Sequence, residues 1–463
     1  MVKSITFKIF QCYFPRSLFS LALAEIAILA TAFYFGAHIY IASIPHELPS
    51  AYLFIKGLVF AFIIFFAMMA IGLYWHNEEG IFEKLFRITI GYLVGIIIFI
   101  FFFDLFPYVS FDKGEFALVA VMGFAGVLVF RWSYYLLSDH DILKQRFLVL
   151  GAGTKASRLA ELNLHESKIV GYIPVSDQNH YLANRKLLQY NKSLVEIAKE
   201  HQANNIIVAL DERRKCFPVE DLIECKMSGI QIMDLTEFFE SHKEQININE
   251  LSPSSIIFSS GFRAAIIASY SKRLFDIGVS SLLLILTLPL MILTAIAISI
   301  DSHGRGSIIY RQTRVGKGEA PFEVLKFRTM NVDAEKDGKA IWAKNKDPRV
   351  TRVGRVLRKF RIDELPQLIN VIRGEMSFVG PRPERPEFVQ QLSTKIPYYR
   401  LRHKIKPGIT GWAQISYPYG SSEEDATKKL QYDLYYIKNY SMLLDLNILF
   451  QTVHTVLWGR GAR

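Results

Sequence analysis

The sequence predicts a membrane protein of α plus α/β class built in three parts. A four-helix transmembrane bundle covers residues 1–143 and a Rossmann-like parallel-sheet domain covers 144–250. After a linker at 251–270, a mainly helical domain covers 271–463 and opens with a re-entrant membrane helix at about 275–300. Three observations carry this. Hydrophobic residues make up 51% of the 463 and mean hydropathy is +0.21, too apolar for an ordinary soluble chain. Long apolar runs cluster at the start and recur once near residue 280. Between them, short β-branched runs alternate with helical stretches.

The four early runs span roughly 17–43, 52–74, 88–109 and 115–138. Each exceeds the ~20 residues that cross ~30 Å of hydrocarbon. The first is too long for a signal peptide and has no small-residue cleavage site, so it reads as a retained span. Lys3, Lys8 and Arg16 precede it, and the loop near Pro45–Ser50 has no Lys or Arg. Lys84 and Arg87 lie in the next loop, only Lys113 in the third, and Lys144 and Arg146 follow the fourth span. Both ends of the bundle therefore face the cytoplasm. Glu25 and Arg131 sit at similar depth inside spans one and four, and two readings fit them. They pair with each other, or both snorkel to the headgroups.

From 144 to 250, RFLVLGAG (146–153) reads as a strand entering a glycine turn. IVGYIPV (169–175), IIVAL (206–210) and IQIMD (230–234) read as further strands, with helices at about 194–205 and 217–229. That alternation gives a parallel sheet. Gly151-Ala152-Gly153 opens a helix, so the turn is either a phosphate cradle or a plain tight turn. Strand two ends in Pro174-Val175-Ser176 before Asp177, without the terminal acid of a full dinucleotide fingerprint.

Cys12, Cys216 and Cys225 are too few for a disulfide framework and lack metal-type spacing, which fits a reducing cytoplasmic side. Residues 271–463 hold 31 Lys and Arg against 18 Asp and Glu, a net +13, whereas the first 270 residues stand at −2. Such a surface attracts phosphates of any kind. The fifth apolar run, 277–300, is long enough to cross. However, Lys272 and Arg273 flank one end and Arg305, Arg311, Arg314 and Lys317 the other, and Pro289 interrupts the middle. A broken helix that dips in and returns fits all three features, with an ordinary kinked span as the alternative.

Asp363-Glu364-Leu365-Pro366-Gln367 reads as a helix start, where acids ordinarily serve as caps. Here the surroundings point elsewhere. Arg358, Lys359, Arg361 and Arg382 are near in sequence, and Lys326 and Arg328 are able to converge. Adjacent carboxylates raise each other's pKa unless cations or a metal compensate. Carboxylates among many cations suit phosphoryl chemistry, with the acids holding Mg²⁺ or attacking phosphorus and the cations neutralising phosphate oxygens. Val379-Gly380-Pro381-Arg382-Pro383 fixes the backbone around one arginine, suiting it to bidentate phosphate contact.

At these residues the chain resembles the bacterial polyprenyl-phosphate glycosyl-1-phosphate transferases, monotopic enzymes that initiate exopolysaccharide, O-antigen and capsule synthesis. The likeness covers about 270–463: KRLFD (272–276), RQTRVG (311–316), KFRTM (326–330), DPRVTRVG (347–354), LRK (357–359), DELPQ (363–367), GEMSFVGPRPE (374–384) and KPGITGWAQ (406–414). Four spans and a Rossmann-like domain ahead of it are similar to the large branch of that family. The resemblance implies that Asp363 attacks the β-phosphorus of a UDP-sugar and expels UMP. Glu364 would help hold Mg²⁺ or move a proton, and Lys326, Arg358 and Arg382 would contact phosphate oxygens. Undecaprenyl phosphate would then take the sugar phosphate.

The resemblance also implies residence in the bacterial inner membrane with the catalytic domain cytoplasmic, a possible homodimer, and other glycan-assembly proteins as partners. Two departures stand out: Leu288-Pro289 replaces the Ser-Pro common at the helix break, and Arg361 fills a position usually small or polar. A membrane nucleotide-sugar dehydratase would need a Tyr-x-x-x-Lys pair, but Tyr436 is followed by Lys438 and then Tyr440. A scaffold or sensor reading needs a broken acid pair, and this one is intact. Nucleic acid is excluded as a partner because the basic residues are interleaved with membrane-facing and motif positions.

Overall fold

The computed structural model describes residues 6–9, 12–41, 50–74, 81–104, 113–138, 145–160, 167–175, 186–212, 217–251, 253–258, 261, 266–331, 334, 349–418, 420 and 422–457. Lys3, residues 45–49, Lys144, Ser176, Asp177, Cys216 and the first two residues of the 347–354 motif lie outside them. The described chain forms two compact units, the main body of the first running to Lys243 and the second from Glu244 onward.

In the first unit, β1 (Thr6–Ile9) and β2 (Cys12–Pro15) form a two-stranded sheet, followed by α1 (Arg16–Ile41), α2 (Ser50–Ala70), α3 (Ile81–Asp104) and α4 (Lys113–Ser138). These helices are apolar all round, the composition of a helix surrounded by hydrocarbon. Leu29, Phe33, Phe60, Ile64, Phe99 and Val127 fill a shared core, whereas Phe35, Ile97, Phe101, Val121 and Val129 are exposed. Among the described residues, four stretches here meet the length and hydropathy of a membrane span, and one in the second unit does too. The protein is a membrane protein that also contains mixed helix and parallel-sheet structure.

Glu25 and Arg131 pair, and the snorkelling alternative is not what the structure contains. Arg131 Nε donates to Glu25 Oε1 at 2.5 Å and its Nη2 to Oε2 at 3.0 Å, with Glu25 fully buried and Arg131 2% exposed. The Tyr74 hydroxyl also donates to Glu25, and its ring lies 5.0 Å from the guanidinium. Both carboxylate oxygens are thereby occupied, the condition under which an ion pair survives away from water.

The sheet of β3 (Gln145–Leu150), β4 (Ser167–Ile173), β5 (Asn205–Val208) and β6 (Gln231–Asp234) is parallel throughout, in the order β4-β3-β5-β6. Its helices are α5 (Thr154–Ala160), α6 (Leu194–Glu200), α7 (Val219–Met227) and α8 (Leu235–Lys243). Alternate side chains of β3 and β5 feed separate cores on the two faces. Leu148, Leu150 and Ile206 lie on one, and Phe147, Val149 and Ile207 on the other. Helices α6 and α7 stop earlier than the sequence pattern suggests, because Gln202 and Gly229 adopt positive φ just beyond them.

The second unit contains α9 (Pro253–Phe258), α10 (Ile266–Asp301), the hairpin β7 (Ile309–Val315) and β8 (Pro321–Phe327), α11 (Arg352–Lys359), α12 (Gln367–Arg373), β9 (Ser377–Val379), α13 (Pro386–Lys395), β10 (Gly408–Thr410), α14 (Trp412–Ser416), α15 (Glu423–Lys438) and α16 (Met442–Leu457). Part of the expected linker is therefore helical. Strands β9 and β10 pair in parallel.

Helix α10 runs 36 residues with Pro289 inside it. Its middle is exposed and apolar (Ile285, Leu286, Leu293), while both ends rest on the same unit. Near the start, Arg273 donates to the Val371 and Ile372 carbonyls, each at 2.6 Å, Lys272 pairs with Asp445 at 2.6 Å, and Asp276 accepts from Ser377 at 2.8 Å. Near the finish, Ile298 packs with Phe327 and Leu357. The expected break at Pro289 is not an interruption, because helical structure is continuous through it. Thr287 bonds the Leu283 carbonyl at 2.7 Å, not the Ile285 carbonyl that proline leaves without its usual donor.

Truncating one partner of the Glu25–Arg131 pair strands a buried charge. Glu25→Ala should lower unfolding free energy in detergent by about 3–5 kcal/mol, and Glu25→Leu combined with Arg131→Leu should lower it less. A single-variant loss within 0.5 kcal/mol of zero, roughly that of a neutral surface change, would show that the pair stabilises nothing.

Candidate functional site

The acid pair lies on a 3₁₀ turn, Ile362–Glu364, between α11 and α12. Arg361 begins the turn in the left-handed region (φ 54°), which reverses the chain after α11 and turns both acids inward. Asp363 is 8% exposed and Glu364 9%. Leu357, Ile362 and Leu365 anchor the turn from below in the cluster with Ile298 and Phe327.

The two acids differ sharply in their partners. Glu364 Oε1 accepts from Lys326 Nζ at 2.9 Å and Arg382 Nη2 at 3.0 Å, and Arg361 Nη1 lies 3.7 Å from Oε2. Burial pushes the Glu364 carboxyl up, but Lys326, Arg382 and Arg361 together outweigh it and hold it well below the usual carboxylate range. Arg361 thus contributes through Glu364. Asp363 accepts no hydrogen bond and forms no ion pair within 4 Å among the described residues. Burial, with Glu364 adding to it, raises its carboxyl against the pull of Lys326, Arg358 and Arg382.

Strand β8 delivers Lys326, and the Val379–Pro383 loop delivers Arg382. That loop is pinned on several sides. Gly380 N–H bonds Thr410 O at 2.9 Å, Gly408 N–H bonds Pro381 O at 2.9 Å, and Arg314 Nη1 reaches Pro383 O at 3.2 Å. The strands approach so closely that a Cβ on Gly408 would lie 2.1 Å from the Gly380 nitrogen. Arg382 also donates to Gln414 Oε1 at 2.8 Å, so its guanidinium is held before any ligand arrives. Arg358 donates to Thr329 Oγ1 at 2.9 Å, next to the acids.

The other expected site residues lie elsewhere. Arg328 does not join the cluster despite following Lys326 by two residues: its Nη1 and Nη2 are closed off from solvent with no hydrogen-bond partner among the described residues. Lys272 and Arg273 fasten α10 to α16 and α12, and Pro289 lies mid-helix. Gly151 and Gly153 do form a tight turn before α5, but the amides a phosphate would use are taken. Asp211 accepts from Thr154 N–H at 2.7 Å and Lys155 N–H at 2.9 Å, and a Cβ on Gly153 would lie 2.1 Å from that carboxylate. An anion there would have to displace Asp211.

Sequence reasoning did not single out Gln414, Asp276, Arg402 or Asp433. Gln414 and Asp276 fall inside the KPGITGWAQ and KRLFD motifs, which was the available signal. Arg402 had none: buried, it donates to Arg382 O at 3.0 Å and Tyr399 Oη at 2.6 Å and pairs with Asp433 at 2.9 Å. Burial pushes Asp433 up to about 6 against the pull of Arg402.

No group of three or more potential metal-ligating side chains occurs among the described residues. Mg²⁺ needs fewer, since it binds through one or two carboxylates, substrate phosphates and water. Glu364 is already engaged by cations, so Asp363 is the open carboxylate, and the donor set fits Mg²⁺ on that footing.

Residues 267–459 match the family described as bacterial sugar transferase. The chain is 40% identical over 242 residues to an Aeromonas hydrophila UDP-N-acetylgalactosamine-undecaprenyl-phosphate N-acetylgalactosaminephosphotransferase, covering 52% of this chain and 56% of the relative. It is 39% identical over 269 residues to the Escherichia coli K12 UDP-glucose:undecaprenyl-phosphate glucose-1-phosphate transferase, covering 57% and 56%. It is 44% identical over 189 residues to a Caulobacter vibrioides transferase with that same description, covering 40% and 69%. The chain thus spans little more than half the length of the first two.

His403, beside Arg402, gives a pH prediction. Burial, then Arg402 and Arg400, push its imidazole down to about 4, against about 6.5 in an unfolded chain. The unfolded state alone takes up the proton between those values. The stability is therefore full above pH 6.5 and falls by roughly 3 kcal/mol as pH drops toward 4. Asp433 acts in the opposite sense, so the comparison is with His403→Gln. Thermal stability of that variant should fall less between pH 7 and 5 than wild type, and parallel curves would contradict the assignment.

Proposed function

The chain belongs to the bacterial sugar transferase family, and on that premise we propose that it transfers a sugar 1-phosphate from a UDP-sugar to undecaprenyl phosphate. The products are undecaprenyl-diphospho-sugar and UMP, and the reaction is the first membrane step of a bacterial glycan. The observation that carries this is the division between neighbouring acids. Glu364 is neutralised by three cations, and Asp363 is left open beside them.

Asp363 acts as the nucleophile. One of its oxygens bonds to the β-phosphorus of the UDP-sugar as the bond to the bridging oxygen breaks, and UMP leaves with that oxygen. An oxygen of undecaprenyl phosphate then bonds to the same phosphorus and frees the Asp363 carboxylate. Lys326, fixed by Glu364, retains donors for phosphate oxygens, and Arg382 and Arg358 supply two further cations near Asp363. Mg²⁺, held by Asp363 with substrate phosphates, would add charge neutralisation.

The membrane geometry fits a lipid acceptor. A straight 36-residue helix is about 54 Å long, yet both ends of α10 rest on one unit and carry flanking cations. This supports a helix that bends at Pro289, enters the bilayer and returns. The four apolar helices of the first unit are then its transmembrane bundle. The site sits at the cytoplasmic face of the inner membrane, where a soluble nucleotide sugar meets a lipid.

The test is nucleotide release in nanodiscs holding undecaprenyl phosphate, with Mg²⁺ and a panel of UDP-sugars. Wild type should release UMP, with Asp363→Asn at least about 10³-fold slower, comparable to the loss of a nucleophile elsewhere. Release of UDP, or near-normal rates in Asp363→Asn, would contradict the mechanism.

A further inference from the structure

Arg328 leaves a charge unaccounted for. Its backbone N–H bonds Ile308 O at 2.9 Å, but its Nη1 and Nη2 are closed off from solvent without any partner among the described residues. Two terminal guanidinium nitrogens closed off from solvent and given nothing in return are destabilising. The side chain borders a cavity of about 470 Å³, within the roughly 300–1,000 Å³ range of ligand pockets. The cavity lies between the C-terminal end of α10 and the segment after β8, with Ile298 and Met330 as its apolar residues.

Arg305, His303, Asn331 and Thr351 also line it. Thr351 caps α11, accepting from Gly354 N–H at 2.9 Å, which brings the positive end of that helix to the cavity wall. Asp301 is the single carboxylate of the lining, and it forms no ion pair with Arg328 or Arg305 within 4 Å. Lys326, Asp363, Glu364 and Arg382 are not part of this lining. Two arginines, a histidine, two hydroxyls, an amide and a helix N-terminus around one carboxylate make a net cationic, donor-rich chamber.

We propose that this cavity is a second phosphate-binding site, distinct from the Glu364 cluster, in which Arg328 makes the principal charge-assisted contact. It opens where the exposed apolar surface of α10 (Ile296, Ile300) ends. Phosphate therefore reaches it from a lipid headgroup or from solution. Assignment to the acceptor lipid rests on the function proposed above; phosphate binding itself does not.

The experiment uses the full chain in phosphatidylcholine nanodiscs and reads thermal unfolding and equilibrium binding. One arm carries undecaprenyl phosphate in the disc, and the other UMP or inorganic phosphate in solution. Wild type should bind and be stabilised in at least one arm. Arg328→Gln should weaken that binding about tenfold or more, as expected for a lost charge-assisted bond. Without phosphate the variant should unfold no earlier than wild type, because an unpaired buried charge is gone, an outcome a purely structural arginine would not give. The double variant His303→Gln/Arg305→Gln, on an exposed turn, should weaken binding without threatening the fold.

Asp363→Asn, blocked in transfer, should keep this binding, so failure of the transfer reading and of this site are read separately. An effect confined to the lipid arm assigns a lipid phosphate, and one confined to the soluble arm a nucleotide-type phosphate. Binding absent in both arms, or unchanged in Arg328→Gln and in the double variant, would overturn the proposal.

Discussion

The site depends on one turn and a half of helix α10. Lys272, Arg273 and Asp276 reach three different elements: α16 through Asp445, the C-terminal carbonyls of α12, and the start of β9 through Ser377 and the Phe378 amide. Asp445 is itself closed by the Tyr436 hydroxyl at 2.6 Å. Helix α12 follows the turn carrying the acids, and β9 runs into the loop carrying Arg382. The acids and Arg382 are thereby referenced to one apolar helix, and under the proposed membrane placement the chemistry is held at a fixed depth relative to the lipid.

On that frame, two adjacent carboxylates receive unlike environments. Equal sharing of the nearby cations would leave both acids ionised and both hydrogen-bonded. Glu364 instead takes Lys326, Arg382 and Arg361, and serves as the anchor around which those cations are arrayed. Asp363, one residue back on the 3₁₀ turn, faces the same positive field without a bond to any of its members. An anion held near cations but bonded to none of them keeps its lone pairs for an electrophile, and that is the physical basis for giving it the nucleophile's role in the proposed reaction.

Much of this was legible in the residues. Hydrocarbon-length apolar runs located the helices of the first unit to within a few residues, except that α3 begins seven residues before its run. β-branched runs located the parallel strands. The density of cations around 363–364 marked the site, and the Gly-Pro-Arg-Pro run marked a rigid loop. What the sequence withheld depends on tertiary placement. Asp211 fills the Gly151–Gly153 turn from 58 residues away, and no local pattern announces a carboxylate in that position. Arg328 follows Lys326 by two, as same-face strand residues do, but β8 ends at Phe327 and the next side chain departs toward a different cavity. Arg402 and Asp433 come from a 3₁₀ turn and α15, whose approach behind Arg382 is set by packing. Pro289 suggested a break, yet α10 remains helical through it.

The most direct measurement of the central claim is intact-protein and peptide mass spectrometry of wild type exposed to a UDP-sugar without undecaprenyl phosphate. The account predicts one sugar-phosphate adduct per chain on the peptide containing Asp363, one equivalent of UMP, and disappearance of the adduct when the lipid is added. Turnover with lipid present but no adduct without it, or an adduct on another residue, would contradict it.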